Sequence, residues 1–373
     1  MPGQGHINPM LQFCKKLHSK GLRVTLAITR SLFKTMQTQT GPIRIETFSD
    51  GYDNGFQKED KMEDYFESVK LVGSQTLTDL IKKQESMGDP ITCVLYDDLG
   101  STAAAFFTQS CAVSIIYYYV QQGLLTVPVT AGPVNSIPGF PLLEIIDLQS
   151  FVSVYDGPHP MLLTLVINQF HNIDQADWIL FNSFDKLEQE TINLMAKQLP
   201  VKTIGPTVSS IYHNRQVEGN KDYSLNLFKP VADTCMNWLN MRETRSVVYV
   251  SFGSIAEVGD EKMNELASAL KESNNYFMWV VRQSEEKKLP SNFPTNAKYI
   301  EDVWGIGLRV KVDENGAAVR EEIQACIREV IGEKGKDIRK NAIKWKELAK
   351  EAVEGGGNSD KNIQEFVASM SCP

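Results

Sequence analysis

Apolar positions in this chain gather into short, nearly continuous runs. Between the runs they recur every three or four residues. The runs are LRVTLAIT (22–29), IRIETFS (43–49), ITCVLYD (91–97), AAAFFTQ (103–109), DWILFNSF (177–184), VVYVSFGS (247–254) and YFMWVVR (276–282). Rich in Val, Ile, Phe and Tyr, they suit strands covered on both faces, as in parallel sheets. Helical spacing follows between them. Residues 8–20 put Met10, Phe13, Cys14 and Leu17 on one face, with Asn8 as cap, Pro9 in the first turn and Gly21 as the stop. Residues 317–331 align Val319, Ile323, Ile327 and Val330, and residues 337–353 align Ile338, Ala342, Trp345, Ala349 and Ala352. Strands alternating with helices predict an α/β fold. The first four runs are expected in one mostly parallel sheet, and the runs at 247–254 and 276–282 in a second domain.

The stretch from about 206 to 232 is polar and lacks clean periodicity, which reads as an interdomain linker. Near the end, GGGNSDKN breaks the pattern before a short terminal helix, IQEFVASM. The chain has 373 residues, enough for two or three domains. Its net charge of -8, without basic blocks, argues against nucleic-acid binding. The six cysteines form no CxxC pair and mostly sit in apolar stretches, so buried, reduced thiols are expected. The longest apolar run, around CAVSIIYYYV, is too short for a membrane span. No basic segment followed by an apolar core marks a secretory signal. A cytoplasmic protein is the expectation.

Three places carry candidate chemistry. In PGQGHINP, glycines flank Gln4, and His6 precedes a helix start. His6 is either a surface loop residue or a general base at a ligand-binding loop. Asp97 and Asp98 end the strand VLYD; they are turn residues, or a carboxylate behind the base, with Asp97 the better placed. Gly253 and Ser254 end another strand, either as a phosphate cradle or as a tight turn with a capping Ser. His18, beside lysines, reads as solvated, and His159, His171 and His213 lack metal-ligand spacing. Ser110 lacks the Gly-x-Ser-x-Gly elbow, which argues against a serine hydrolase. The five tryptophans read as core residues rather than sugar platforms. No GxGxxG follows a strand, so a nicotinamide-dependent oxidoreductase is a weak reading.

Taken in order, these segments resemble plant family 1 UDP-glycosyltransferases, close to group 74. The carriers include PGQGHINPMLQFCKKLHSKG, FSDGYDNGF, ITCVLYD, FFTQSCAVSIIYY, ADWILFNSFDKLE, NWLNMRETRSVVYVSFGSIAEV and NAKYIEDVW. The resemblance runs the length of the chain. It implies a GT-B-like α/β fold of two doubly wound, Rossmann-type domains. Residues 1–205 would bind the acceptor, 206–236 would link, 237–355 would bind the nucleotide sugar, and 356–373 would form the terminal helix. It also implies His6 as base, Asp97 as its partner, and donor contacts at Gly253 and Ser254. The implied reaction is an inverting transfer of glucose from UDP-glucose to a small aromatic or terpenoid hydroxyl or acid. UDP-glucose serves as co-substrate, no metal or other cofactor takes part, and the protein acts as a monomer.

Departures from the family pattern are equally visible. The family has a strand before PGQGH and a helix between VLYD and AAFFTQ, where this chain has only DLGST. Between YFMWVVR and NAKYIEDVW the family carries Trp-x-Pro-Gln, His-Cys-Gly-Trp-Asn-Ser and an Asp/Glu-Gln pair. Here only QSEEKKLPSNFPT intervenes. Both domains are therefore read as incomplete, and donor binding is expected to be weak. The alternative is a catalytically impaired remnant that at best binds small hydrophobic molecules.

Overall fold

The computed structural model describes residues 4–36, 43–57, 60–96, 104–130, 137, 140, 143–153, 160–208, 232–252, 260–280, 298–312 and 318–371. The chain runs α1 (Gln4–Ser19), β1 (Thr25–Thr29), α2 (Arg30–Thr35), β2 (Arg44–Phe48), α3 (Met62–Ser68), α4 (Ser74–Ser86), β3 (Leu95–Tyr96) and β4 (Ala104–Phe107). It continues with α5 (Cys111–Gln121), α6 (Ser150–Ser153), α7 (Pro160–Asn168), β5 (Trp178–Phe181), α8 (Asp185–Met195) and β6 (Val201–Thr203). After these come α9 (Ala232–Asn240), β7 (Val247–Ser251), α10 (Asp260–Glu272), β8 (Tyr276–Val280), α11 (Arg320–Ile331) and α12 (Lys334–Val353), and α13 (Asn358–Ser371) ends the chain.

Every strand pairing is parallel, as the unbroken apolar runs predict. Strand β4 shows why. Ala104 and Phe106 face one core with α1 and α13, and Ala105 and Phe107 face another with α5. The expectation of one sheet for the first four runs is corrected. Among the described residues, strands β1 and β2 pair only with each other, and the larger sheet has the order β3-β4-β5-β6. Of the described residues 91–96, only Leu95 and Tyr96 join that sheet, opposite Ala104 and Ala105. The link between them, residues 97–103, lies outside the described residues. Strands β7 and β8 form their own pair over five residues each.

Helix α1 begins earlier than the apolar spacing predicts. It takes in Gly5, His6 and Ile7, so Asn8 is not its cap. The Asn8 side-chain oxygen is instead buried without a hydrogen-bond partner. Gly21 takes φ +95 just past the helix, in the left-handed region that suits glycine at such a stop. The terminal helix α13 packs against α1 and the sheet strands β5 and β6. Its Phe366 lies 5.4 Å from the Trp178 ring and 6.2 Å from the Phe13 ring. Ser359 donates to the Gly205 carbonyl at 2.7 Å, and Asn362 to the Thr203 carbonyl at 2.8 Å.

Residues 298–309 are held to elements earlier in the chain. Arg309 donates to the buried Asp147 carboxylate, with Lys298 3.6 Å from the same side chain. The Trp304 indole donates to the Leu187 carbonyl at 3.2 Å, and the Trp345 indole to the Trp304 carbonyl at 3.0 Å. These tryptophans join elements through their indole N–H groups but are half-buried, so the reading of the five tryptophans as core residues is corrected. Among the described residues, no helix is long and apolar enough to cross a membrane.

Candidate functional site

His6 projects from the first turn of α1 and is half-buried. Its Nδ1 shares a 3.2 Å hydrogen bond with the Thr108 hydroxyl. Thr108 directly follows β4, whose ladder to β5 runs from Ala104↔Trp178 to Phe107↔Phe181. The Asn182 N–H extends that pairing by donating to the Phe107 carbonyl at 2.9 Å. The imidazole is thereby held over the C-terminal end of a parallel sheet, where open α/β folds bind ligands.

A cavity of about 680 Å³ opens beside His6. Strand ends converge on it: Thr29 of β1, Phe48 of β2 and Tyr96 of β3 all line it, together with Asp50 and Tyr65. Asp50 is fixed by its loop. Its carboxylate accepts from the Tyr52 N–H at 2.9 Å and from the Tyr65 hydroxyl at 3.4 Å, and its carbonyl accepts from Ser68 at 2.8 Å. Gly51 takes φ +88, and a Cβ there would meet the Ser68 hydroxyl oxygen. Burial, then the Asp50 charge, pushes the Tyr65 phenol up to about 12, so it stays a neutral donor. Tyr52, Phe56, Tyr65 and Phe66 stack edge-on into an aromatic wall behind this loop.

Below the site, Ser110 caps α5 by accepting from the Val113 N–H at 3.3 Å, which gives that serine a structural role. Glu188 is 4% exposed and supports the same helix start. It accepts from the Ala112 N–H at 2.9 Å and from the Ser183 hydroxyl at 2.6 Å. A carboxylate at a helix N-terminus is favoured by the helix dipole. Burial, then the Glu188 charge, drives the Cys111 thiol well above its ordinary range. Burial alone pushes Cys14 up to about 12. Both thiols are neutral and unsuited to nucleophilic work. Cys14, Cys93, Cys111, Cys235 and Cys326 are free. No group of three potential metal ligands occurs among the described residues.

Of the residues singled out from the sequence, His6 lies at this cavity. Asp97, Gly253 and Ser254 fall outside the described residues, although β3 reaches the cavity at Tyr96 and β7 ends at Ser251. His18 is solvent-exposed, as read, and His171 is exposed too. Sequence reasoning missed Thr108, Asp50 and Tyr65. The usable signal was position, because Thr108 and Asp50 each follow closely on a parallel strand.

The family described as "UDP-glucoronosyl and UDP-glucosyl transferase" matches residues 161–304. The chain is 40% identical to "UDP-glycosyltransferase 74F2" of Arabidopsis thaliana, over 98% of this chain and 96% of that protein. It is also 40% identical to "Flavonol 7-O-beta-glucosyltransferase UGT74F1" of the same plant, over 99% and 96%. The first of these alignments spans 442 positions against a chain of 373 residues, so the relative carries segments without a counterpart here. Among solved structures, that of Os79 from O. sativa in complex with UDP superposes with a TM-score of 0.89 and 32% identity, over 99% of this chain and 98% of that one.

Proposed function

We propose, since the chain belongs to the UDP-glucuronosyl and UDP-glucosyl transferase family, that it moves glucose from UDP-glucose to a small aromatic or terpenoid acceptor. The observation that carries this reading is the end-to-end similarity to plant transferases, one of them named for glucosyl transfer to a flavonol. The likeness to a rice protein in complex with UDP supports a GT-B arrangement and a UDP-sugar donor. The remnant reading has no such support.

In the proposed mechanism His6 is the general base. With its Nδ1–H donating to the Thr108 hydroxyl, Nε2 becomes the basic nitrogen. It accepts the proton from an acceptor hydroxyl or carboxylic acid. The acceptor oxygen bonds to the anomeric carbon as the bond to UDP breaks, and UDP leaves with the electron pair. The single displacement inverts the anomeric centre. Asp97 stabilises the imidazolium formed at His6, and Gly253 and Ser254 contact the donor. Asp50 and Tyr65 offer the acceptor polar groups in a cavity with a mixed polar and apolar lining.

Residues 1–205 form the acceptor-binding domain in this proposal, 237–355 the donor domain, 206–236 their linker and 356–373 the terminal helix. The reaction uses no metal, because positioning and charge stabilisation by the protein supply the rate. The protein is a cytoplasmic monomer. Incubation with UDP-glucose and a panel of phenolic and terpenoid acceptors tests the proposal. Glucoside together with released UDP is the expected product, and UDP release without glucoside would refute it.

A further inference from the structure

The strand-end mouth of the cavity carries a buried negative charge. Asp50 follows closely on β2, is 2% exposed and lines the cavity together with His6. Its carboxylate has two donors, the Tyr52 N–H at 2.9 Å on Oδ1 and the Tyr65 hydroxyl at 3.4 Å on Oδ2. An ionised carboxylate can accept about four hydrogen bonds. The Tyr65 contact is longer than the usual O–H···O distance, so Oδ2 has room for a closer donor.

No ion pair to Asp50 occurs among the described residues. The cations of α2 go to Asp53 instead: Arg30 meets its carboxylate at 2.8 Å and Lys34 its carbonyl at 2.8 Å. Arg23 is the one Lys or Arg among the described residues lining the cavity. It lies before β1, at the opposite end from Thr29, and pairs with Asp89 at 2.8 Å. A buried carboxylate without a cation depends on hydrogen-bond donors, and such charge-assisted bonds are roughly twice as strong as neutral ones. An acceptor molecule that gives one oxygen to His6 turns the rest of its surface to this charge. A second hydroxyl can donate to Oδ2, an ether oxygen cannot, and a carboxylate is repelled.

We infer that Asp50 sets the acceptor class: the chain prefers neutral acceptors with a second hydroxyl, which donates to the Asp50 carboxylate, and rejects acceptors that carry a carboxylate. This deepens the proposed transfer reaction and rests on it, but acceptor binding alone can test it.

The probes share one ring system: naphthol, the dihydroxynaphthalenes, their monomethyl ethers and the hydroxynaphthoic acids. Their own fluorescence reports binding to the full chain near neutral pH, where the acids are ionised. At least one dihydroxynaphthalene should bind at least about tenfold more tightly than naphthol, the worth of a hydrogen bond to a charged group. Its monomethyl ether should fall back to the naphthol value, and the hydroxynaphthoic acids should bind more weakly than naphthol. Asp50→Asn keeps an oxygen for the Tyr52 N–H and replaces the other with an amide donor. It should lose the preference for the diol and gain affinity for the acids. Tyr65→Phe removes a brace of the same loop but leaves the charge, so it should keep the parent's ranking. If Asp50→Asn does not fold, the ranking in the parent chain and in Tyr65→Phe still decides. A monomethyl ether that binds like the diol, an acid that binds best, or a Tyr65→Phe variant that loses the preference would overturn the inference. Glucoside assayed in parallel separates the two readings. Ranked binding without glucoside would refute transfer and support the role of Asp50, and glucoside without the ranking would do the reverse.

Discussion

The Nδ1 atom of His6 and the hydroxyl of Thr108 are 3.2 Å apart, joining the first turn of α1 to the end of β4 across 102 residues of chain. A base must be oriented as well as basic, and this bond fixes the ring's rotation. In the proposed mechanism Thr108 is therefore a positioning residue.

Replacing it tests that role. Thr108→Val keeps the shape and removes the hydroxyl, and should lower kcat by about three- to tenfold, the worth of one neutral hydrogen bond. The acceptor KM should hardly change, and Thr108→Ser should restore most of the rate. Steady-state kinetics decide it: a change confined to KM would make Thr108 a binding group instead.

Asp360 links the terminal helix to α1. Burial opposes its ionisation, but the Lys20 ammonium at 2.8 Å, the Gly356 N–H at 3.1 Å and the nearby Lys16 hold its carboxyl below the ordinary carboxylate value. A group with a depressed folded pKa stabilises the fold above its unfolded pKa, about 3.9 for Asp. That contribution is lost as pH falls through the lower folded value. Asp360→Asn should therefore unfold at lower urea concentration than the parent at pH 7. The gap should close in acid below the ordinary aspartate range. Parallel urea curves at several pH values measure it, and a gap that persists unchanged in acid would rule out the ion pair as its source.

Phe366 is 2% exposed, against Phe13 and Trp178. Phe366→Ala should cost about 3–5 kcal/mol, the range for emptying a buried aromatic site. Chemical denaturation would show it. A loss below about 1 kcal/mol would mean that α13 is not part of the core it shares with Phe13 and Trp178.

Donor affinity is where this chain should differ most from its relatives. In place of the family's donor-binding segment stands QSEEKKLPSNFPT. Each lost hydrogen bond to a charged donor group is worth roughly 1.5–3 kcal/mol, against about 4 kcal/mol for millimolar binding. The KM for UDP-glucose should lie above about 1 mM. Calorimetric titration giving a micromolar Kd would show that other residues replace the missing contacts.

What could be read from sequence followed from where physical pattern is unambiguous. Strand β4 was legible because Ala104 through Phe107 are buried on both faces, so its apolar run has no gaps. Helix α5 was not, because CAVSIIYYYV is apolar all round and shows no period. The start of α1 was misplaced because Asn8-Pro9 makes a good cap signal, although the helix already runs through it. The division between β1 and β3 was invisible, since pairing depends on what lies beside an edge, not on the strand's own residues. His6 was legible through its glycine-flanked setting. Thr108 and Asp50 were not, because a polar residue after a strand looks like any turn residue until the fold turns it toward a cavity.

The most direct test is glucoside formation by the intact chain and its His6→Ala variant. Each is given saturating UDP-glucose and a phenolic acceptor, and products are quantified by mass spectrometry. The account predicts glucoside with an equal amount of UDP from the parent chain, and a turnover at least about 100-fold lower from the variant, the usual worth of a general base. Turnover in the variant close to that of the parent, or no glucoside from the parent with any acceptor, would contradict it.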